Sequence, residues 1–157
     1  MKVLIPIDGS ESSLHTIKSA ASFLNTQTID LYFLTVRVPA MTEVSWTMIN
    51  DEAAAISILE HAVQEAKNAG FNVKQSQFVM SIEPASAICE YADEVQADLI
   101  VIGSHGYQGL AKFLMGSVSE RVFKLAKQPV IVLRNDKTHT MEISHFESIG
   151  LQQIGNS

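Results

Sequence analysis

Short runs of almost unbroken apolar residues alternate along this chain with stretches in which apolar positions return every three or four residues. Lys2 to Ile7 and Leu99 to Ile102 are runs of the first kind, ending at Asp8 and Gly103, and Ile29 to Val38 reads likewise after its Asp30. Neither face of such a strand tolerates water, which is the condition inside a parallel sheet covered on both sides. Leu14, Ile17, Ala21 and Leu24 keep helical spacing, as do Ile56, Leu59, Val63 and Ala66, and again Ala85, Ile88, Ala92 and Val95. Each set predicts one buried helix face. Ser10 is the expected N-cap of the first helix, Gly70 the C′ residue after the second, and Pro84 belongs to the first turn of the third. A fourth helix is predicted from about Val118 to Lys127, and a fifth strand from Pro129 to Arg134. The alternation predicts a single doubly wound α/β domain, with right-handed crossovers and helices on both faces of the sheet. Phe71 to Met80 carries Asn72, Lys74, Gln75, Ser76 and Gln77, too polar for a central strand, so it is expected at an edge. Pro39 to Asn50 reads as a long loop holding the only tryptophan, Trp46.

Composition narrows the class. With 157 residues, 46% hydrophobic and 18% charged, the chain suits one hydrophobic core and is too apolar for disorder. No apolar run approaches the roughly 20 residues that span a bilayer, and the N-terminal run is interrupted at Pro6 and closed by Asp8, so neither a membrane anchor nor a secretion signal is expected. Cys89 is the only cysteine, which removes intrachain disulfides and cysteine-based zinc sites and fits the reducing cytoplasm. A net charge of −6 argues against a nucleic-acid or anionic-membrane binder. Between Gly103 and Lys127, however, Lys112, Arg121, Lys124 and Lys127 face only Glu120, and any anion site is expected there.

In open α/β sheets ligands bind beyond the carboxyl ends of the strands, where the winding direction reverses. The first strand ends in Pro6, Ile7, Asp8, Gly9 and Ser10, and the fourth in Gly103, Ser104, His105 and Gly106. Neither end carries a GxGxxG or a P-loop pattern. What stands there is Gly103-x2-Gly106-x9-Gly116-Ser117, two glycine turns that deliver the chain to a helix N-terminus. Glycine admits an anion close to the backbone, and the first turn of the helix supplies unpaired N–H groups and the positive end of its dipole. The competing reading is that the first two glycines only turn the chain while Ser117 and Glu120 form a capping box. Asp8 likewise has a structural alternative, capping the first helix in place of Ser10. His15 and His61 fall on helix surfaces, and no cluster has metal-ligand spacing, so any Mg²⁺ would arrive with a nucleotide.

The segment DLIVIGSHGYQGLAKFLMGSVSERVFKLAKQPVIVLR, together with the opening KVLIPIDGSESS, resembles the universal stress protein family over about residues 1 to 134, and the complete glycine pattern resembles its ATP-binding branch. The resemblance implies a five-stranded parallel sheet of order 3-2-1-4-5. It implies that Asp8 holds the ribose or the adenine edge, that Pro6 and Val36 line the base pocket, and that Gly103, His105 and Gly106 shape the near side of the phosphate site. Gly116, Ser117, Val118 and Ser119 would then bind the phosphates through backbone N–H and hydroxyl groups. Asp8 suits the sugar, since a carboxylate accepts two hydroxyl bonds there but would repel a triphosphate. With no Walker lysine or acidic metal pair, no catalytic residue is assigned. The expected function is a cytoplasmic, nucleotide-dependent switch in a stress response, binding ATP, ADP or AMP with Mg²⁺ and acting on a regulatory partner protein. The alternatives are a slow ATP hydrolase or phosphotransferase, and a dimeric adaptor that binds no nucleotide.

Two expectations concern the C-terminal part. In the implied strand order the fifth strand is an edge, and Val130 to Leu133 has no gatekeeping charge, so a homodimer through residues 130–134 is expected, as the resemblance also implies. Residues 135–157 are an extension in which Ile143, Phe146, Ile149 and Ile154 form a loose helical stripe broken by Gly150. A short helix from about Met141 to Ile149 is predicted to dock on this subunit or its mate.

Overall fold

A computed structural model describes residues 1–39, 51–104, 116–134 and 141–143. In chain order these form β1 (Lys2–Pro6), α1 (Glu11–Phe23), β2 (Asp30–Arg37), α2 (Asp51–Asn68), β3 (Asn72–Met80), α3 (Pro84–Glu94), β4 (Leu99–Gly103), α4 (Ser117–Leu125), β5 (Val130–Leu133) and β6 (Met141–Ile143). The sheet order is β3-β2-β1-β4-β5-β6, so the first five strands follow 3-2-1-4-5 and pair in parallel.

The two-residue period of each strand sorts its side chains between two cores. Val3, Ile5, Phe33 and Val101 pack with α1 and α2, while Leu4, Leu34, Ile100 and Val132 pack with α3 and α4. Burial on both faces explains why β1, β4 and β5 read as unbroken apolar runs. β3 takes the open edge, where Asn72, Lys74, Gln75 and Ser76 are exposed, and a register irregularity opposite Leu31 and Tyr32 further disfavours edge pairing. α4 stops at Leu125, slightly earlier than its pattern predicts, with Ala126 in an extended conformation as its C-cap.

The C-terminal extension departs from expectation. Residues 141–143, the start of the predicted helix, form β6 antiparallel to β5, with Leu133 opposite Met141, Val132 opposite Glu142 and Ile131 opposite Ile143. A short isolated helix gains little in water, whereas the outer edge of β5 offers a row of backbone groups that need partners. The remainder of that predicted helix lies outside the described residues. The expected open edge at β5 is therefore closed by the same chain, and the premise for a dimer through residues 130–134 changes with it.

Thr35 lies in the interior of β2, fully buried, and its hydroxyl finds no hydrogen-bond partner among the described residues. Burying an unpaired hydroxyl costs about 1 kcal/mol or more. Thr35→Val should therefore stabilise the fold by about 1 kcal/mol and raise the melting temperature by about 3 °C. Thermal unfolding followed by circular dichroism checks this, and a lower melting temperature would show that the hydroxyl is paired.

Candidate functional site

β1 lies between β2 and β4 at the centre of the sheet, and the chain winds outward from it in both directions. At its carboxyl end Ile7 N–H still donates to Leu34 C=O at 2.9 Å, after which Asp8, Gly9 and Ser10 turn the chain into α1. Asp8 Oδ1 accepts the Ser10 N–H at 2.9 Å and the Ser10 hydroxyl at 2.6 Å. Ser10 Oγ in turn accepts the Ser13 N–H at 3.1 Å and so caps α1 as predicted. Asp8 does not replace Ser10 as the cap; it orients the residue that is. Gly9 has φ +84°, and a Cβ there would lie 2.8 Å from the side chain of Ile58 in α2. Only glycine combines that backbone with that approach.

The end of β4 is fastened from three sides. Ser104 N–H donates to Leu133 C=O at 2.8 Å, Gly116 N–H donates to Ser104 C=O at 2.6 Å, and the Ser119 hydroxyl donates to Gly103 C=O at 2.7 Å. The chain leaving at Ser104 and returning at Gly116 is thus clasped at its base. Gly103 has a packing reason of its own: a Cβ there would sit 2.9 Å from Thr16 Oγ1 and 3.5 Å from Ser12 Oγ of α1. The missing side chain lets α1 cross close to β4, which joins the Asp8 turn to the clasp.

Gly116 is the N-cap of α4, with φ −60° and ψ 149°, and among the described residues no side chain caps this helix. The capping box does not form, because Ser117 is already inside the helix and the Glu120 carboxylate pairs with Lys124 Nζ at 2.5 Å. The N–H groups of Ser117, Val118 and Ser119 have no partner within α4, as for any first helical turn. Gly116 N–H and the Ser119 hydroxyl proton are committed to the clasp, which narrows the donors expected from residues 116 to 119.

Strand alternation places Pro6 with Leu4, and Val36 with Leu34, on the α3 and α4 side of the sheet. Pro6, Val36 and the first turn of α4 therefore share one face at the carboxyl end, with Asp8 beside them. His105, Gly106 and Lys112 lie outside the described residues. Sequence reasoning missed Arg37, the last residue of β2, and Arg134, which follows β5. Both put a cation at the carboxyl end of the sheet, a position visible only once the strand ends are known.

The remaining cations of the 103–127 segment have other duties. Arg121 pairs with Glu83 at 2.8 Å and Lys127 with Asp93 at 2.6 Å, both across α3 and α4, in addition to Lys124 with Glu120. Lys127 and Gln128 hold the Asp93 carboxyl below its ordinary range, and Asp93 in turn raises Lys127. Two of these pairs tie the α3 region to α4 and the turn after it, and the α4 amides add positive character at the carboxyl end of the sheet. Burial, reinforced by Asp93 and Glu90, pushes the Cys89 thiol up, which makes it a poor nucleophile. Among the described residues no group of three His, Cys, Asp or Glu could hold a metal ion, and no helix is long and apolar enough to cross a membrane. A groove of about 610 Å³ between α2 and β3 is lined by Leu59, Val63 and Phe78 among others, and none of the predicted site residues line it.

A parallel sheet of this order, with glycines at the strand ends where its winding reverses and the N-terminus of α4 beside them, defines a doubly wound α/β protein, a class in which ligands bind at the switch point. Residues 1–134 match the sequence profile of the Universal stress protein family, and the chain belongs to that family. It is 34% identical over 143 residues to Universal stress protein MJ0531 of Methanocaldococcus jannaschii, covering 87% of this chain and 83% of that protein. It is 33% identical over 147 residues to Universal stress protein YxiE of Bacillus subtilis, covering 85% of this chain and 98% of that protein. Among solved structures it is similar to a universal stress protein in complex with cAMP, with a TM-score of 0.67, 30% identity and coverage of 87% and 98%. The Archaeoglobus fulgidus universal stress protein in complex with dAMP gives a TM-score of 0.65, 25% identity and coverage of 84% and 96%.

Proposed function

We propose that this chain is a cytoplasmic, ATP-binding regulatory protein whose nucleotide state is read by a partner protein in a stress response. One observation carries the reading: the N-terminus of α4 is uncapped, its would-be capping carboxylate is turned away to Lys124, and it stands beside the clasp at the carboxyl end of the sheet. Helix amides so placed suit phosphate oxygens. The related structures that hold cAMP and dAMP support an adenine nucleotide as the ligand.

The residues fit that group. Pro6 and Val36 would line the base, Asp8 would accept hydroxyl bonds from the ribose, and Gly103, His105 and Gly106 would border the phosphates. The N–H groups of Ser117, Val118 and Ser119 would bind them. Asp8 already accepts two bonds from Ser10, which fixes its carboxylate before any sugar arrives and lowers the ordering cost of binding. Mg²⁺ would come with the nucleotide, held mainly by phosphates and water.

The test is to denature purified protein and identify any released nucleotide, then titrate the emptied full chain with Mg·ATP and with AMP by calorimetry. One adenine nucleotide per chain is expected. Absence of binding to either would overturn the proposal in favour of an adaptor. Single-turnover hydrolysis should run far below the roughly 10 per second of a typical enzyme. A rate above about one per second that is lost on substitution at the site would favour the hydrolase instead.

A further inference from the structure

Arg134 follows β5 directly, at the carboxyl end of the sheet, and is partly buried. In β4 and β5 the residues Ile100, Ile102, Val130 and Val132 pack on the α3 and α4 side, and Val101, Ile131 and Leu133 on the other. Continued one residue past β5, that two-residue period sets Arg134 on the side of α4. Arg37, also at this end of the sheet, falls on the α1 and α2 side, because Phe33 of the same strand packs there. Backbone contacts fix how near Arg134 comes to the α4 amides. Leu133 C=O, just before it, accepts the Ser104 N–H at 2.8 Å, and Ser104 C=O accepts the N–H of Gly116, the N-cap of α4, at 2.6 Å. Neighbouring strand ends lie about 4.8 Å apart, a gap that an arginine side chain spans.

We infer that Arg134 grips the outermost phosphates of the nucleotide and makes the site discriminate Mg·ATP from AMP, an inference that rests on the adenine-nucleotide reading. The sheet order gives the direction. Val36 of β2 and Pro6 of β1 would line the base, Asp8 beyond β1 would hold the ribose, Gly103 of β4 would border the first phosphate, and Arg134 beyond β5 comes next in line. A nucleotide laid across the strand ends in that order brings its later phosphates to β5. The N–H groups of Ser117, Val118 and Ser119 suit the oxygens of one phosphate. Arg121, Lys124 and Lys127 are paired with Glu83, Glu120 and Asp93. A guanidinium adds what the amides lack, a full positive charge on a planar fork that meets two phosphate oxygens at once. AMP carries no second phosphate to reach it.

The experiment titrates the full chain and two full-length variants, Arg134→Gln and Arg134→Lys, with Mg·ATP and with AMP by calorimetry. Thermal unfolding without nucleotide checks that each variant is folded. Arg134→Gln should weaken Mg·ATP binding about tenfold or more, as for a lost bidentate charge-assisted pair, and change AMP affinity by less than about twofold. Arg134→Lys keeps the charge without the fork and should lose less, and it alone decides the question should the glutamine variant be unfolded. The Mg·ATP affinity of the unaltered chain should also fall more steeply with salt than that of Arg134→Gln, which has one charge contact fewer. Equal losses for the two nucleotides would place Arg134 at the first phosphate or in the fold, and an unchanged Mg·ATP affinity would leave it out of the site. Either result overturns the inference while the nucleotide reading stands. An unaltered chain that binds neither nucleotide overturns that reading and the inference with it.

Discussion

Replacing Gly9 by alanine should lower the stability of the fold by about 3 kcal/mol and its melting temperature by about 10 °C, the larger part of what a single substitution outside the core can do. Two causes act at once. The backbone at φ +84° lies in the left-handed region, which costs an ordinary residue about 1 to 2 kcal/mol. The new methyl would also meet Cδ1 and Cγ1 of Ile58 at 2.8 Å, so that side chain must shift, at a cost of about 1 to 2 kcal/mol. The two parts are separable. Ile58→Val removes Cδ1, so in the double variant the steric part should fall while the backbone part remains. A double-mutant cycle by denaturant unfolding measures this: coupling of about 1 kcal/mol is expected. Full additivity would mean that α2 does not press on the turn, and a Gly9→Ala variant as stable as the natural chain would remove the left-handed turn from the account of how Asp8 is held.

Gly116→Val should leave the fold intact and weaken Mg·ATP binding about 100-fold, the equivalent of losing about two charge-assisted hydrogen bonds. The fold survives because φ −60° and ψ 149° are open to any residue and valine keeps the N–H that bonds Ser104. Affinity suffers because a branched side chain at the N-cap stands where a phosphate would approach the amides of Ser117 and Val118. Calorimetry on the folded variant decides it, with circular dichroism as the check on folding. Unchanged affinity would move the phosphate site away from α4.

The contrast between unbroken apolar runs and helical periodicity made the strand and helix sequence legible, because a doubly wound sheet buries its strands on both faces and its helices on one. The polarity of β3 marked the edge for the same reason. Contacts between distant segments were not legible. Nothing near Gly103 in sequence announces that Thr16 of α1 lies against it, and nothing near Arg121 announces Glu83, so the sequence could not tell that Arg121 and Lys127 pair with Glu83 and Asp93. β6 was hidden by its length: three residues are too few for a two-residue period to show, and Ile143 shares helical spacing with Phe146 and Ile149 in the sequence. The glycine pattern was readable as a candidate site, yet the commitment of Gly116 N–H to Ser104 depends on two loop ends meeting, which no local pattern encodes.

That meeting of loop ends has a consequence for tolerance to insertion. Because Ser104 and Gly116 are joined backbone to backbone, and Ser119 ties the helix to Gly103, the sheet and α4 need not depend on the length of the chain between them. Lengthening a closed loop costs little, about 0.6 kcal/mol for each doubling. The stretch after Gly106 is therefore a natural place to graft a peptide or a reporter domain into this scaffold. Such a graft would attach its guest between the end of β4 and the start of α4 while leaving the folding of the host to the strands beneath.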